Sequence, residues 1–455
     1  MDKRNKVAIL GFGVEGKAIY KYLLKHQYTD ITVCDKNVDL DFEFDEGVSS
    51  ELGDDYLNDL AQFDVIFRSP GIPYLEEAVQ SAKASDTNIT SCTKFFLDQC
   101  PCPVIGVSGT KGKGTTSTLI YEIFKESGKK EGLNLFLGGN IGKAPIEFLD
   151  KLKGNSLVIL ELSSFQLQDL EMSPQYAVLL NTNEDHLDYH ADKDEYMHAK
   201  ENLLAHQKKD SLTVMNADYE YVKFYKNLVK GDLKLISTDH KVKGSAYVKD
   251  DAIYYDDEEI LKVTDVKLVG SHNLENILPA IVIAKVFDIS TKEIASVIKK
   301  FKNLPYRLQL TRELKGVRYF NDSYSTTPET SMAAVDSFDV PTVLIAGGYD
   351  KGADYNEWAT KILTKESLHT VILIGKNAQK MEDALFEAEE KLGEAEASPT
   401  KILRRNRMED AVIDAYAEAD EGGVVVMSPA AASFDMYENY KARGNDFTAQ
   451  VRKLK

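Results

Sequence analysis

A four-residue apolar run, Val7-Ala8-Ile9-Leu10, empties into Gly11-Phe12-Gly13-Val14-Glu15-Gly16. Far downstream a second run, Val104-Ile105-Gly106-Val107, empties into Ser108-Gly109-Thr110-Lys111-Gly112-Lys113-Gly114-Thr115-Thr116. A short unbroken apolar strand followed by a glycine-rich turn and a helical pattern is the opening of a parallel α/β unit, because parallel strands are covered on both faces and the turn must fold the chain back over the sheet. Each opening also leaves glycines and backbone amides at a helix start, where an anion can be held.

The same alternation continues between and beyond these loops. Ile31 to Cys34 and Asp64 to Phe67 complete a first unit. Asp98-Gln99-Cys100-Pro101-Cys102-Pro103 reads as a linker, since two prolines in three residues block helix and central strand. Leu157 to Glu161 and Tyr176 to Asn181 follow the second loop. From about Leu212 to Val269 the pattern turns to short β-rich runs, and helices are expected at 274–287 and 291–302. After Leu304-Pro305-Tyr306-Arg307, strand runs recur in VRYFND, TVLIAGG, TVILIG and GVVVMS. At 455 residues the chain has room for about three domains. The fold expected is α/β with three mainly parallel sheets: a Rossmann-like unit over 1–97, a P-loop ATPase-like unit over 98–303 and a second Rossmann-like unit over 304–455.

With 55 basic and 73 acidic side chains the formal charge is −18, which argues against a general binder of nucleic acid or membrane surface, so an anionic ligand needs a local site. Four irregularly spaced cysteines, Cys34, Cys92, Cys100 and Cys102, do not make a disulfide framework, and a reducing cytoplasm fits. Cys100-Pro101-Cys102 lacks the spacing and the second pair of a zinc or redox motif and reads as incidental thiols. The N-terminal apolar run is too short for a signal peptide, and no run is long enough to span a membrane.

The first loop is a G-x-G-x-x-G, and Asp35 closes the next strand run, as in the dinucleotide fingerprint. An NAD-dependent oxidoreductase is one option; any nucleotide diphosphate suits the same geometry, and a ligand-free turn is the bland alternative. The second loop supplies the groups of a phosphate loop: glycines, Lys113 for the outer phosphates, and the hydroxyls of Thr115 and Thr116. Strict spacing fails twice, because Val107 stands where the first glycine belongs and Gly114 where the hydroxyl after the lysine belongs. Glu161 ends a strand run beside this loop, where a nucleotide-bound magnesium needs an oxygen ligand. Asn181-Thr182-Asn183-Glu184-Asp185-His186-Leu187-Asp188-Tyr189-His190 brings acids and imidazoles towards the same edge. Lys200, on an expected helix, is not distinguished by spacing.

Taken together, GTKGKGTT, GGNIG, ELSSFQL, NEDHLDYH, Lys200, GSHNLENILPA, LPYRLQ, NDSYSTTPE, AGGYDKGADY and SPAAASFDMYENYKARGNDF resemble the Mur ligases, ATP-dependent amide-forming enzymes of peptidoglycan precursor synthesis. The likeness runs nearly end to end, and the dinucleotide-type first domain with the SPAAAS…YKARGNDF ending is most similar to the branch that adds D-glutamate. The resemblance implies that the first domain holds the uridine diphosphate of UDP-N-acetylmuramoyl-L-alanine, with Gly13, Val14 and Glu15 near the diphosphate, Asp35, Lys36, Ser69 and Gly71 near the uridine, and Asn140 and Ser163 towards the substrate. It implies ATP at Gly109, Thr110, Lys111, Gly112, Lys113, Gly114, Thr115 and Thr116, with Asn273 and Asn276 at the adenine, Arg307 at phosphate and Asp322 at the ribose. Two magnesium ions are implied, with Thr115, Glu161, His186 and a carbamylated Lys200 as ligands. Lys113, Glu161, His186 and Lys200 are the implied catalytic groups, and Thr326, Lys351, Ser433 and Tyr440 the D-glutamate contacts.

Four departures stand out. Gly114 replaces the usual loop hydroxyl residue, Lys111 a common Asn, and Tyr324 and Thr327 occupy places where Lys and Asn are frequent. The implied reaction is phosphorylation of the substrate carboxylate followed by attack of the glutamate amine, with domain closure around the reactants. A monomer is expected. Another ligase of the superfamily, such as the L-alanine-adding or folate polyglutamating enzymes, is the alternative in class, and a nucleotide-binding regulator without turnover the alternative outside it.

Overall fold

Val7–Leu10 lies wholly buried at the centre of a five-stranded parallel sheet, ordered Ser49–Leu52, Ile31–Asp35, Val7–Leu10, Val65–Arg68, Asn88–Ser91. The structure is a computed structural model that describes residues 1–127, 132–182, 192–393 and 397–455. Successive residues of the central strand point to opposite faces. Val7 and Ile9 join Ile19, Leu23 and Val33 on one side, whereas Ala8 and Leu10 join Cys34, Ile66 and Val79 on the other. Both faces are therefore core, which is why the run carries no polar residue. The chain leaves the central strand first towards Ile31–Asp35 and later returns on the opposite side as Val65–Arg68. This reversal puts the Gly11 turn and the Ser69–Gly71 turn side by side at the carboxyl ends of adjacent strands, the crevice in which open α/β sheets take ligands.

A six-stranded parallel sheet follows in the same compact unit, which comprises Met1–Val266 and Leu274–Lys299. Its order is Asp232–Ile236, Leu212–Asn216, Tyr176–Leu179, Val104–Ser108, Ser156–Glu161, Asn134–Gly139. Val104–Ser108 is flanked by the strands that end at Glu161 and Leu179, so the second glycine loop, Glu161 and Asn181 share one sheet edge. The β-rich stretch after Ile236 forms a separate antiparallel sheet of Ala246–Lys249, Ala252–Tyr255 and Glu258–Lys262. The expected linker begins later than its sequence suggests. The helix Cys92–Gln99 takes in Asp98 and Gln99 and stops at Cys100, whose backbone is extended because Pro101 disfavours helical geometry in the residue before it.

The other unit, Lys267–Asn273 with Lys300–Lys455, is built on the sheet Gln309–Leu314, Val317–Asn321, Val424–Met427, Thr342–Ala346, Leu368–Ile374, Lys401–Arg405. Its pairings are parallel except for the antiparallel edge strand Gln309–Leu314. Val424 and Val426 face one core with Leu344, Trp358 and Met381; Val425 and Met427 face the other with Ile345, Val412 and Phe447. The two expected helices near residue 280 are present as His272–Val286 and Thr291–Lys300. No helix among the described residues is long and apolar enough to cross a membrane.

Candidate active site

The turn after Val104–Ser108 is shaped by glycines that nothing else could replace cheaply. Gly112 caps the helix Lys113–Glu126 in the left-handed region at φ +84°, and a Cβ there would stand 2.0 Å from Asn276 Oδ1. Thr110 N–H donates to Asn181 O at 2.7 Å, fixing the loop to the neighbouring strand end. Lys113 Nζ folds back over the loop, donating to Gly109 O and Thr110 O, both at 2.9 Å. Its charge thus sits at the mouth of the turn, beside the amides that open the helix. Thr116 Oγ1 donates to Asn276 O at 3.1 Å, which leaves Thr115, buried in the first helical turn, as the loop hydroxyl not used in that contact. Lys111 is exposed and Gly114 buried.

Glu161 is buried at the neighbouring strand end. Its Oε1 accepts from Asn140 Nδ2 at 3.0 Å, while Oε2, also buried, has no hydrogen-bond partner among the described residues. An unpartnered buried carboxylate oxygen is costly unless a ligand completes it, and a hard divalent cation is the chemical match. Lys200 is only 1% exposed, on the helix Lys193–Glu201, with Nζ 3.3 Å from Gly109 O and 4.4 Å from the centre of the Tyr196 ring. Tyr196 OH in turn bonds Thr110 Oγ1 at 2.8 Å. The structure therefore brings together Gly109, Thr110, Lys113 and Lys200 directly, with Asn140 and Glu161 one strand over. His186 lies outside the described residues, and among those residues no three His, Cys, Asp or Glu side chains gather to hold a metal.

In the first sheet the glycine turn is closed from within. Gly16 lets the helix Val14–Lys25 pass so near Gly11 that a Cβ would be 2.2 Å from Gly11 O. Asp35 Oδ2 accepts from Phe12 N at 2.6 Å and Oδ1 from Asn37 N at 2.8 Å, so this carboxylate holds the turn's own backbone. Ser69 Oγ donates to Gly11 O at 2.6 Å. Gly13 and Val14 are exposed at the helix start; Lys36 and Gly71 are exposed nearby. Glu15 points inward: Oε1 accepts from Gln166 Nε2 at 2.5 Å, and the buried Oε2 has no hydrogen-bond partner among the described residues. Burial pushes its carboxyl up to about 7, against the Gln166 hydrogen bond and the Arg68 charge. Gln166 Oε1 also accepts from Ser163 N at 3.0 Å, so one amide side chain spans from the first glycine turn to the ELSSFQL segment. A buried pair, Arg68 Nη2 to Asp169 Oδ2 at 3.2 Å, makes a second tie between the same two sheets.

In the other unit, Asp322 is buried with Oδ1 accepting from Leu308 N at 2.9 Å and Oδ2 from Ser428 Oγ at 2.7 Å; desolvation pushes it up to about 6. Ser433 is buried, Thr326 and Lys351 are exposed, and Lys351 Nζ stands 5.7 Å from the Phe434 ring centre. Tyr440 opens the helix Tyr440–Lys453. Arg443, fully buried, donates to Ala431 O, Ala432 O, Ser323 O and Ser323 Oγ, and so locks the loops that carry Ser433 and Asp322 together. Asn273 Nδ2 donates to Val269 O at 2.7 Å. Sequence alone overlooked Tyr196, Gln166 and Arg443. For Tyr196 a signal was there: it stands four residues before Lys200, one turn along the same helix face.

Comparison with known proteins matches three family descriptions in chain order: Mur ligase MurD-like, N-terminal domain, over residues 5–99; Mur ligase middle domain over 107–284; and Mur ligase, glutamate ligase domain, over 306–431. A UDP-N-acetylmuramoylalanine--D-glutamate ligase of Acetivibrio thermocellus is 36% identical, covering 99% of this chain and 97% of its own. One of Clostridium botulinum is 35% identical over the same shares. Among solved structures, the MurF ligase of Thermotoga maritima in complex with ADP aligns with a TM-score of 0.60 at 18% identity, covering 99% of this chain and 95% of that one. The UDP-N-acetylmuramate-alanine ligase MurC of the same organism aligns at 0.59 and 14%, covering 99% and 100%. The lysine-bearing phosphate loop and the neighbouring Glu161 fall within the matched middle domain, and with all three domains matched in order the chain belongs to the Mur ligase family.

Proposed function

We propose that this chain joins D-glutamate to UDP-N-acetylmuramoyl-L-alanine, converting ATP to ADP and phosphate, in the making of peptidoglycan precursors. The observation that supports it most is near-full-length identity to D-glutamate ligases in a chain whose phosphate loop and buried Glu161 share one sheet edge. The alanyl carboxylate attacks the γ-phosphorus of ATP, giving an acyl phosphate and ADP. The glutamate amine then attacks the acyl carbon, and the tetrahedral adduct expels phosphate and leaves the amide. Both steps are favoured chiefly by positioning and by fixed positive charge where phosphate charge moves.

Lys113 and the amides at the start of its helix hold the β- and γ-phosphates, the lysine exchanging its two loop carbonyls for phosphate oxygens. Glu161 and Thr115 hold magnesium, with a carbamylated Lys200 and His186 completing the donor set; magnesium, when bound, neutralises charge on the phosphates. Carbamylation turns the Lys200 ammonium into an anion, which removes a buried positive charge from beside that donor set. Asn140 orients Glu161. Gly13, Val14 and Glu15 take the UDP diphosphate, and Asp35, Lys36, Ser69 and Gly71 lie towards the uridine. Asn273 and Asn276 serve the adenine, Asp322 the ribose and Arg307 a phosphate. Thr326, Lys351, Ser433 and Tyr440 take D-glutamate, where a lysine and hydroxyls suit a dianionic amino acid. A monomeric cytoplasmic enzyme accords with this assignment.

The test is ADP formation with UDP-N-acetylmuramoyl-L-alanine, scanning D-Glu, L-Glu, L-Ala, L-Lys and meso-diaminopimelate. D-Glu alone should support turnover. Turnover with another amino acid and none with D-Glu would overturn the specificity.

A further inference from the structure

Arg307 is held in an unusual way. Its neighbours on both sides, Tyr306 and Leu308, lie in the left-handed region at φ +63° and +44°, a conformation that is strained for side-chain-bearing residues and persists only where the surroundings enforce it. The enforcing contacts are present. Leu308 N donates to the buried Asp322, Tyr306 N to Gln309 Oε1 at 3.1 Å, and Tyr306 OH to Asn445 Oδ1 at 2.9 Å. So constrained, the backbone sends Arg307 onto the face of Tyr324, with the guanidinium carbon 3.7 Å from the ring centre. Among the described residues no acceptor receives a hydrogen bond from that guanidinium.

Stacking and hydrogen bonding use different parts of a guanidinium. A ring face attracts the cation through its quadrupole and leaves the in-plane N–H donors pointing outward, whereas a carboxylate would occupy them in a bidentate pair. Tyr324 is itself fixed. Its N–H donates to Tyr306 O at 3.0 Å, and its ring meets Tyr440 edge-on, with centres 5.0 Å apart at 86°. Tyr306 packs on Tyr440 in the same fashion at 5.8 Å and 83°. A lysine at position 324 could neither stack on Arg307 nor approach it without charge repulsion.

We propose that Tyr324 is a positioning residue: its ring face holds Arg307 extended with all its donors free for a phosphate of ATP or of the acyl phosphate, and its ring edge shares Tyr440 with the glutamate end. This rests on the phosphate role proposed above for Arg307. The test compares full-length Tyr324→Phe, Tyr324→Leu, Arg307→Ala, Arg307→Lys and the Arg307→Lys/Tyr324→Leu double variant, measuring kcat and KM for each substrate together with melting temperature. Tyr324→Leu is expected to lower kcat/KM for ATP about tenfold, and Tyr324→Phe to stay within about twofold of the parent, since the ring and not the hydroxyl does the holding. The KM for the UDP-substrate and the melting temperature should stay put, and the double variant should be no worse than Arg307→Lys alone. Equal loss in the Phe and Leu variants, full activity in Tyr324→Leu, or additive losses in the double variant would overturn the proposal. Parent-like use of ATP by Arg307→Ala would instead overturn the phosphate role of Arg307.

Discussion

The two glycine turns of the first unit begin alike, as a buried strand, a turn and a helix, yet they are wired oppositely. The charged side chains at the Gly11 turn are acceptors: Asp35 takes the Phe12 amide, and Glu15 enters the helix's first turn with its carboxyl enclosed against Gln166, while the neutral Ser69 hydroxyl donates to Gly11 O. The Gly109 turn is tied by donors, with Lys113 and Lys200 both reaching Gly109 O. A diester diphosphate that is only gripped keeps its charge through the reaction, so backbone amides suffice for it. A triphosphate whose terminal group is transferred moves charge, and movable cations are then needed. On the proposed assignment the same local fold serves holding in one place and chemistry in the other, and the difference lies in the sign of the side chains around the turn.

Three variants would sharpen or break this contrast, the largest effect first. Lys113→Ala should lower kcat about 10³-fold, the scale for removing a charge-stabilising donor, with the melting temperature little changed; parent-like rates would end the assignment of chemistry to the second turn. Gly16→Ala should act on the fold instead. Its Cβ meets a backbone oxygen at 2.2 Å, which cannot move aside as a side chain can, so a loss of about 3 kcal/mol in denaturant unfolding is expected. Unchanged stability would mean that the first turn is not so tightly closed.

Glu15→Gln gives the smallest effect and a sign that can be worked out. The folded-state pKa of about 7 lies above the ordinary glutamate value of 4.5, so between those two pH values the folded chain keeps a proton that the unfolded chain releases. Stability therefore falls as pH rises from about 4.5 to about 7 and is flat above, by at most about 3 kcal/mol at about 1.4 kcal/mol per pKa unit. The Gln variant should lose that slope and be the more stable protein at pH 8 relative to pH 5. Parallel pH–stability curves for the two proteins would show that Glu15 ionises freely.

What the sequence disclosed was what lies close along the chain. Strand runs, glycine turns and the strand-end Glu161 depend on neighbours a few residues apart, and their pattern carries the packing directly. The linker was read as starting at Asp98, two residues before the helix stops, because proline acts on the residue before it and leaves the turn further upstream intact. Contacts between remote segments left no pattern to read. Gln166 with Glu15, Arg443 with Ser323, and Arg68 with Asp169 are ordinary polar residues until the sheets bring them together. Asp35 adds a second case: its place at a strand end suggested a ligand contact, and only the fold shows that its two oxygens also hold backbone amides of adjoining turns.

The central claim is that one turn grips a UDP-linked carboxylate substrate while the other drives its phosphorylation by ATP. The most direct measurement is isotope transfer, with both alanyl carboxylate oxygens of UDP-N-acetylmuramoyl-L-alanine labelled with ¹⁸O and D-glutamate and ATP supplied. An acyl phosphate requires that each amide formed send one labelled oxygen into the released inorganic phosphate. Unlabelled phosphate accompanying the D-glutamyl product would contradict the account.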